Sequence, residues 1–129
     1  MSDRKFSNMR FFSGSSHLTL GKDIAKCLGI ELGKIQLSKF SCGETYSRIE
    51  ESIRGTNVYL LQTISENVND DFMELFVIMD AIKRSSAAKI HLIIPHFGYA
   101  RQDKKSLPRE PKAISSPEPV YIVSFPAAP

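Results

Sequence analysis

An α/β domain with a mainly parallel sheet is the fold class this sequence predicts, and three observations carry it. Compact apolar runs, Val58-Tyr59-Leu60-Leu61-Gln62 and Ile90-His91-Leu92-Ile93-Ile94, have the length and composition of buried strands. Segments with helical apolar spacing alternate with the strand candidates, the pattern of βα units covering a sheet. Each strand candidate also runs into a polar or small-residue loop, and right-handed crossovers would bring those loops to one edge.

The 129 residues are one domain's worth of chain, with room for a modest core. Apolar and charged fractions of 42% and 24% are those of an ordinary globular protein. A net charge of +3 suits an anionic ligand and is too small to argue for nucleic acid. Cys27 and Cys42 lack metal-ligand spacing and imply no disulfide framework, which favours a reducing, intracellular compartment. The start of the chain has no apolar signal core, and no later run is long enough to span a membrane. A cytoplasmic location is therefore expected.

Taken in order, Met9-Arg10-Phe11-Phe12-Ser13 is a short strand candidate, and Gly14-Ser15-Ser16 turns it into a helix that a serine would cap. On that helix Leu20, Ile24, Cys27 and Leu28 share one face, so Cys27 reads as a core thiol, and Gly29 closes the helix. The Gly-Ser-Ser loop has the composition of a phosphate cradle, but a plain tight turn outweighs that reading. Lys34-Ile35-Gln36-Leu37-Ser38 alternates apolar and polar, as a half-exposed strand does. Residues 40–55 are too polar for a core element and have no helical period. They read as a β-excursion with Gly43 in a turn and residues 45–49 extended, either a solvated hairpin or a flap reaching a ligand or a neighbouring subunit.

After the strand at 58–62, a polar loop leads to a second helix capped by Asn69 or Asp70. Phe72, Leu75, Phe76, Met79 and Ile82 form one face of it, and Met73, Val77 and Ile78 widen the apolar arc. A helix apolar over so much of its surface is buried on two sides or packs on another subunit. Pro95 then ends the strand at 90–94, releasing His96-Phe97-Gly98-Tyr99-Ala100-Arg101-Gln102-Asp103-Lys104-Lys105. Ligands of open α/β sheets sit beyond the carboxyl ends of the strands. Arg101, Lys104 and Lys105 would face phosphates and Gln102 a base edge, although a merely solvated loop weighs equally. His96 is an acid or base only if it is not structural, and His17 and His91 have no partners at metal-ligand spacing. No Walker A, Gly-x-Gly-x-x-Gly or Gly-x-Ser-x-Gly pattern occurs. Six of the 7 prolines lie at 108 or beyond, so residues 112–129 read as a divergent tail, unstructured or with one edge strand at 120–125.

Several of these segments together resemble one family. Phe40-Ser41-Cys42-Gly43-Glu44, Glu51-Ser52-Ile53-Arg54-Gly55, Asn69-Asp70-Asp71-Phe72-Met73-Glu74-Leu75 and the segment from Pro95 to Lys105, followed by Arg109-Glu110-Pro111, are similar in order and spacing to ribose-phosphate pyrophosphokinase (phosphoribosyl pyrophosphate synthetase). The likeness runs from about residue 8 to 111, with residues 1–111 as its N-terminal domain. It implies a Rossmann-like, three-layer phosphoribosyltransferase-type domain with a projecting β-hairpin flap. It also implies transfer of the β,γ-diphosphate of ATP to ribose 5-phosphate, with Mg2+, yielding phosphoribosyl pyrophosphate and AMP.

By the same resemblance, subunits form homo-oligomers in which two chains share an ATP site. One chain contributes its flap, here Phe40, Cys42, Gly43 and Glu44, and the other an Arg-Gln pair, here Arg101 and Gln102. Ser52, Arg54 and Arg109 match a regulatory site for phosphate or ADP. A phenyl ring and a guanidinium plane can sandwich adenine while Glu44 accepts from its exocyclic amine. Cys42 departs from the Asp or Asn usual there, and a thiol is a poor substitute for that hydrogen bond. The resemblance puts the metal ligands, the mobile basic loop and the ribose 5-phosphate loops in a second domain, so no catalytic or metal-binding residue is assigned here. The chain alone is expected to be inactive and to expose apolar surface that drives association. Alternatively it is a non-catalytic subunit docking on full-length synthetase, or a bare nucleotide-binding module.

Overall fold

The computed structural model describes residues 7–96 and 121–126. Its main sheet has the order β1-β4-β5-β6, formed by Met9–Ser13, Asn57–Leu61, Lys89–Ile94 and Tyr121–Pro126. The first three strands are parallel, Phe12 opposite Leu60 and Leu60 opposite Leu92, whereas β6 runs antiparallel along β5. The strand at 35–39 leaves this sheet. Ile35–Lys39 (β2) pairs only with Thr45–Ile49 (β3), as the two arms of a separate hairpin.

Strand parity divides the core. Phe11 and Leu61 face α1 (Leu18–Leu28), with Tyr59 and Ile93 beside them. Phe12, Val58, Leu60, Ile90 and Leu92 face α2 (Val68–Arg84), where Leu75, Ile78 and Ile82 meet them. The result is three layers, with the larger core on the α2 side. Burying each of those three α2 side chains contributes roughly 1.5–3 kcal/mol.

The two helices differ from expectation in instructive ways. α1 turns Gly21 and Ala25 to the sheet, with Leu20 and Ile24 at the margin, so Cys27 is exposed and is not a core thiol. Small residues at the contact let the helix lie close, which rotates the Cys27–Leu28 corner out to solvent. The cap of α1 is also not a serine: His17 Nδ1 accepts the Leu20 N–H at 3.2 Å. The N-cap position of α2 is Asn67, two residues before Asn69 and three before Asp70, the expected caps, and the Asp71 N–H is bonded to the Asn67 carbonyl. Only part of the wide apolar arc of α2 is buried: Leu75, Ile78 and Ile82 face the core on which Ile35, Leu37 and Ile49 of the hairpin also pack, whereas Phe76, expected on that face, does not. Met73 and Phe76 stay 54% exposed. Among the described residues no helix is long and apolar enough to cross a membrane.

A polar network locks the loops after β1 and β4 to α2. The carboxylate of Glu74 accepts from Ser15 N–H at 2.6 Å, Ser15 Oγ at 2.7 Å and Gln62 Nε2 at 3.2 Å. Ser16 Oγ donates to Gln62 Oε1 and accepts the Thr63 N–H. Gly14 is needed here, since a Cβ would collide with the Gln62 carboxamide. Glu74→Ala strips the acceptor from these donors and is expected to lower the unfolding free energy by about 3 kcal/mol, with Glu74→Gln costing about half as much. Urea unfolding followed by circular dichroism measures both, and negligible losses would show that the loops hold without the carboxylate.

Candidate functional site

The hairpin carries the first set of candidate residues. Its inner face is apolar, and two polar contacts fix its direction: Lys39 Nζ pairs with Asp70 at 3.0 Å, and Ser47 Oγ donates to the Val77 carbonyl at 3.3 Å. The tip therefore lies over the amino-terminal end of α2, beside the carboxyl end of β4. There Phe40 N–H donates to the Glu44 carbonyl and Gly43 N–H to the Phe40 carbonyl, both at 2.8 Å. Gly43 closes this turn at φ 94°, a left-handed conformation that side chains disfavour. Phe40, Cys42 and Glu44 are all exposed. Phe40 is nevertheless held, edge-on to Tyr46 with ring centroids 5.7 Å apart and planes at 65°. An aromatic ring presented to solvent in a fixed orientation can stack on a planar ligand.

Ser52 and Arg54 occupy the other end of the molecule. Both are exposed and flank the buried Ile53, just before β4 begins. Gly55 N–H donates to the Ser86 carbonyl and Ala88 N–H to the Thr56 carbonyl, which ties this corner to the amino end of β5. The two groups of candidates thus sit at opposite ends of the parallel strands. Arg101, Gln102 and Arg109 lie outside the described residues, as does the charged loop after His96. His96 itself is exposed, and its carbonyl accepts the Ile64 N–H at 2.8 Å, so the chain leaves β5 next to the loop after β4.

The Gly-Ser-Ser loop does not present a free phosphate cradle. The Ser15 N–H and both serine hydroxyls are used by Glu74 and Gln62, so the anion at this turn is the protein's own carboxylate. Glu74 and Gln62 were not singled out by sequence reasoning. The available signal was a carboxylate between Met73 and Leu75 on an apolar helix, and an amide ending an apolar strand. Next to the network, burial pushes the Asp71 carboxyl above its ordinary range, although the Ser65 N–H that it accepts pulls the other way. Among the described residues no group of three His, Cys, Asp or Glu side chains is arranged to hold a metal.

Residues 9–116 match the family model for the N-terminal domain of ribose phosphate pyrophosphokinase. The chain is 52% identical over 106 residues to a ribose-phosphate pyrophosphokinase of Fusobacterium nucleatum, covering 82% of this chain and 34% of that protein. A ribose-phosphate pyrophosphokinase of Bacillus subtilis is 48% identical over 104 residues, which are 81% of this chain and 33% of the relative. The crystal structure of phosphoribosylpyrophosphate synthetase from Mycobacterium smegmatis superimposes with a TM-score of 0.78 at 38% identity, covering 81% of this chain and 35% of that one. The chain spans about a third of the length of the curated relatives it matches. With a family model spanning most of its residues and the fold reproduced, the chain belongs to the ribose-phosphate pyrophosphokinase family, in the part that forms its N-terminal domain.

Proposed function

We propose that this chain supplies both protein walls of an ATP site shared between two copies, for the synthesis of phosphoribosyl pyrophosphate from ATP and ribose 5-phosphate in the cytoplasm. One wall is the hairpin tip of one copy. Phe40 stacks on one face of adenine, Glu44 accepts from its exocyclic amine, and Cys42 beside them offers only a weak thiol. The second wall is the Arg101–Gln102 pair of the neighbouring copy, a guanidinium plane on the opposite face and an amide for the base edge. Ser52, Arg54 and Arg109 form a separate regulatory site for phosphate or ADP. The observation that carries the reading is the solvent-facing Phe40, held edge-on by Tyr46 at the tip of a hairpin anchored on α2.

Magnesium, which the family implies, has no ligand set of three His, Cys, Asp or Glu side chains among the described residues. Diphosphoryl transfer needs several groups to position substrate and stabilise charge at once. The matched relatives are about three times as long as the aligned segment. The 129 residues by themselves therefore bind ATP without turning it over. The family domain is residues 1–111, with 112–129 a tail that adds the edge strand β6.

Phe40→Ala and Arg101→Ala are each expected to weaken ATP binding by about tenfold or more in calorimetry. Mixed in equal amounts, they should recover tight sites at about a quarter of the wild-type number, since a two-fold pair of one each has one intact site and one doubly broken one. No recovery on mixing would rule out a shared site. The exposed Met73 and Phe76 beside the hairpin favour a second reading, a non-catalytic subunit docking on full-length synthetase. That reading expects co-purification with a full-length family member and loss of it in Phe76→Ser, and it fails if the wild-type chain does not bind.

A further inference from the structure

The hairpin sorts its residues by parity. Ile35, Leu37 and Ile49 pack on the core, Lys39 pairs with Asp70, and Ser47 donates to the Val77 carbonyl, so the odd-numbered positions face α2. Successive residues of a strand point to opposite faces, which puts the register pair Ser38 and Tyr46 on the outer face. The Phe40 N–H bond to the Glu44 carbonyl carries the pairing one step past β2 and β3. Phe40 and Glu44 therefore stand opposite each other on that same outer face, and Tyr46 is the diagonal neighbour of Phe40.

The two rings are rooted differently. Tyr46 is half-buried within a paired strand, next to the anchor that Ser47 makes to α2. Phe40 lies one residue beyond the Lys39 anchor, at the turn, and is 54% exposed. An unbraced phenylalanine at such a place divides its time among staggered χ1 wells, and a diagonal aromatic partner selects one of them. The contact with Tyr46 has the geometry that favours such pairs, centroids 5.7 Å apart and planes at 65°. An edge-to-face contact leaves a face of Phe40 that Tyr46 does not cover. It is made between rings, so the tyrosine hydroxyl is not required for it. Tyr46 is outside the set of residues that the family resemblance assigns to the site.

We propose that Tyr46 is a positioning residue of the ATP site, one that acts through Phe40 by holding its ring in the orientation that stacks on adenine. The assignment rests on the reading of Phe40 as the adenine wall.

Calorimetry of ATP binding to the full chain tests this as a double-mutant cycle. Tyr46→Ala is expected to weaken ATP binding by about three- to tenfold, the worth of an aromatic pair, and Tyr46→Phe to bind as wild type does. In a Phe40→Ala background the same Tyr46→Ala step should change affinity by less than about twofold, because a residue acting through Phe40 has nothing left to act on. Tyr46→Val, which keeps a strand-favouring side chain, should repeat the Tyr46→Ala result with an unchanged circular dichroism spectrum. The role is overturned if Tyr46→Ala and Tyr46→Val both bind within about twofold of wild type, or if the loss persists undiminished in the Phe40→Ala background. It is also overturned if Tyr46→Phe binds as weakly as Tyr46→Ala, or if both the alanine and valine variants unfold, since Tyr46 lies outside the buried core. Those results leave the ATP reading standing as long as Phe40→Ala itself weakens binding. If Phe40→Ala binds as wild type does, that reading fails and the role of Tyr46 with it.

Discussion

The carboxylate of Glu74 is the contact on which the rest of the arrangement depends. From the middle of α2 it takes hydrogen bonds from the loop after β1 and from the end of β4, so one side chain fixes two loops at the carboxyl edge of the sheet. An anion at this depth is stable only because three donors converge on it. The hairpin is seated on the opposite flank of the same helix, through Ile35, Leu37 and Ile49 and the Lys39–Asp70 pair. The position of the hairpin tip relative to the strand ends is thereby a consequence of how α2 is held. The exposed pair is worth little by itself, and the apolar face beneath it carries the energy.

Much of the fold was legible because its signals are local. Residues 58–61 and 90–94 form strands where the apolar runs lie, and Leu75, Ile78 and Ile82 of the apolar arc of α2 are buried in the core. The failures occurred where tertiary contacts choose among local options. Periodicity alone could not tell that α1 would present Gly21 and Ala25, which permit close approach, in place of Cys27 and Leu28. Nor could alternation show that the strand at 35–39 belongs to a hairpin outside the main sheet, since partner choice is not written in a strand's own residues. Glu74 was invisible for the same reason, because its donors are 12 and 59 residues away.

The candidate site was less legible than the fold. Physics alone made Phe40, Cys42 and Glu44 part of a polar excursion, and their grouping as one ligand wall came from the resemblance. The geometry adds a turn at Gly43, an aromatic ring held by Tyr46, and a hairpin pinned to α2. It also separates Ser52 and Arg54, at the amino ends of the strands, from the hairpin tip at the carboxyl ends. The two proposed anion sites, at opposite ends of one sheet, would not compete for space.

Phosphorus NMR of the purified chain with ATP, Mg2+ and ribose 5-phosphate tests the central claim most directly, because it reads binding and turnover in one sample. The account predicts saturable shifts or broadening of the ATP resonances and no AMP signal over hours. Unperturbed ATP resonances at millimolar protein, or an AMP resonance that grows in proportion to the chain, would contradict it.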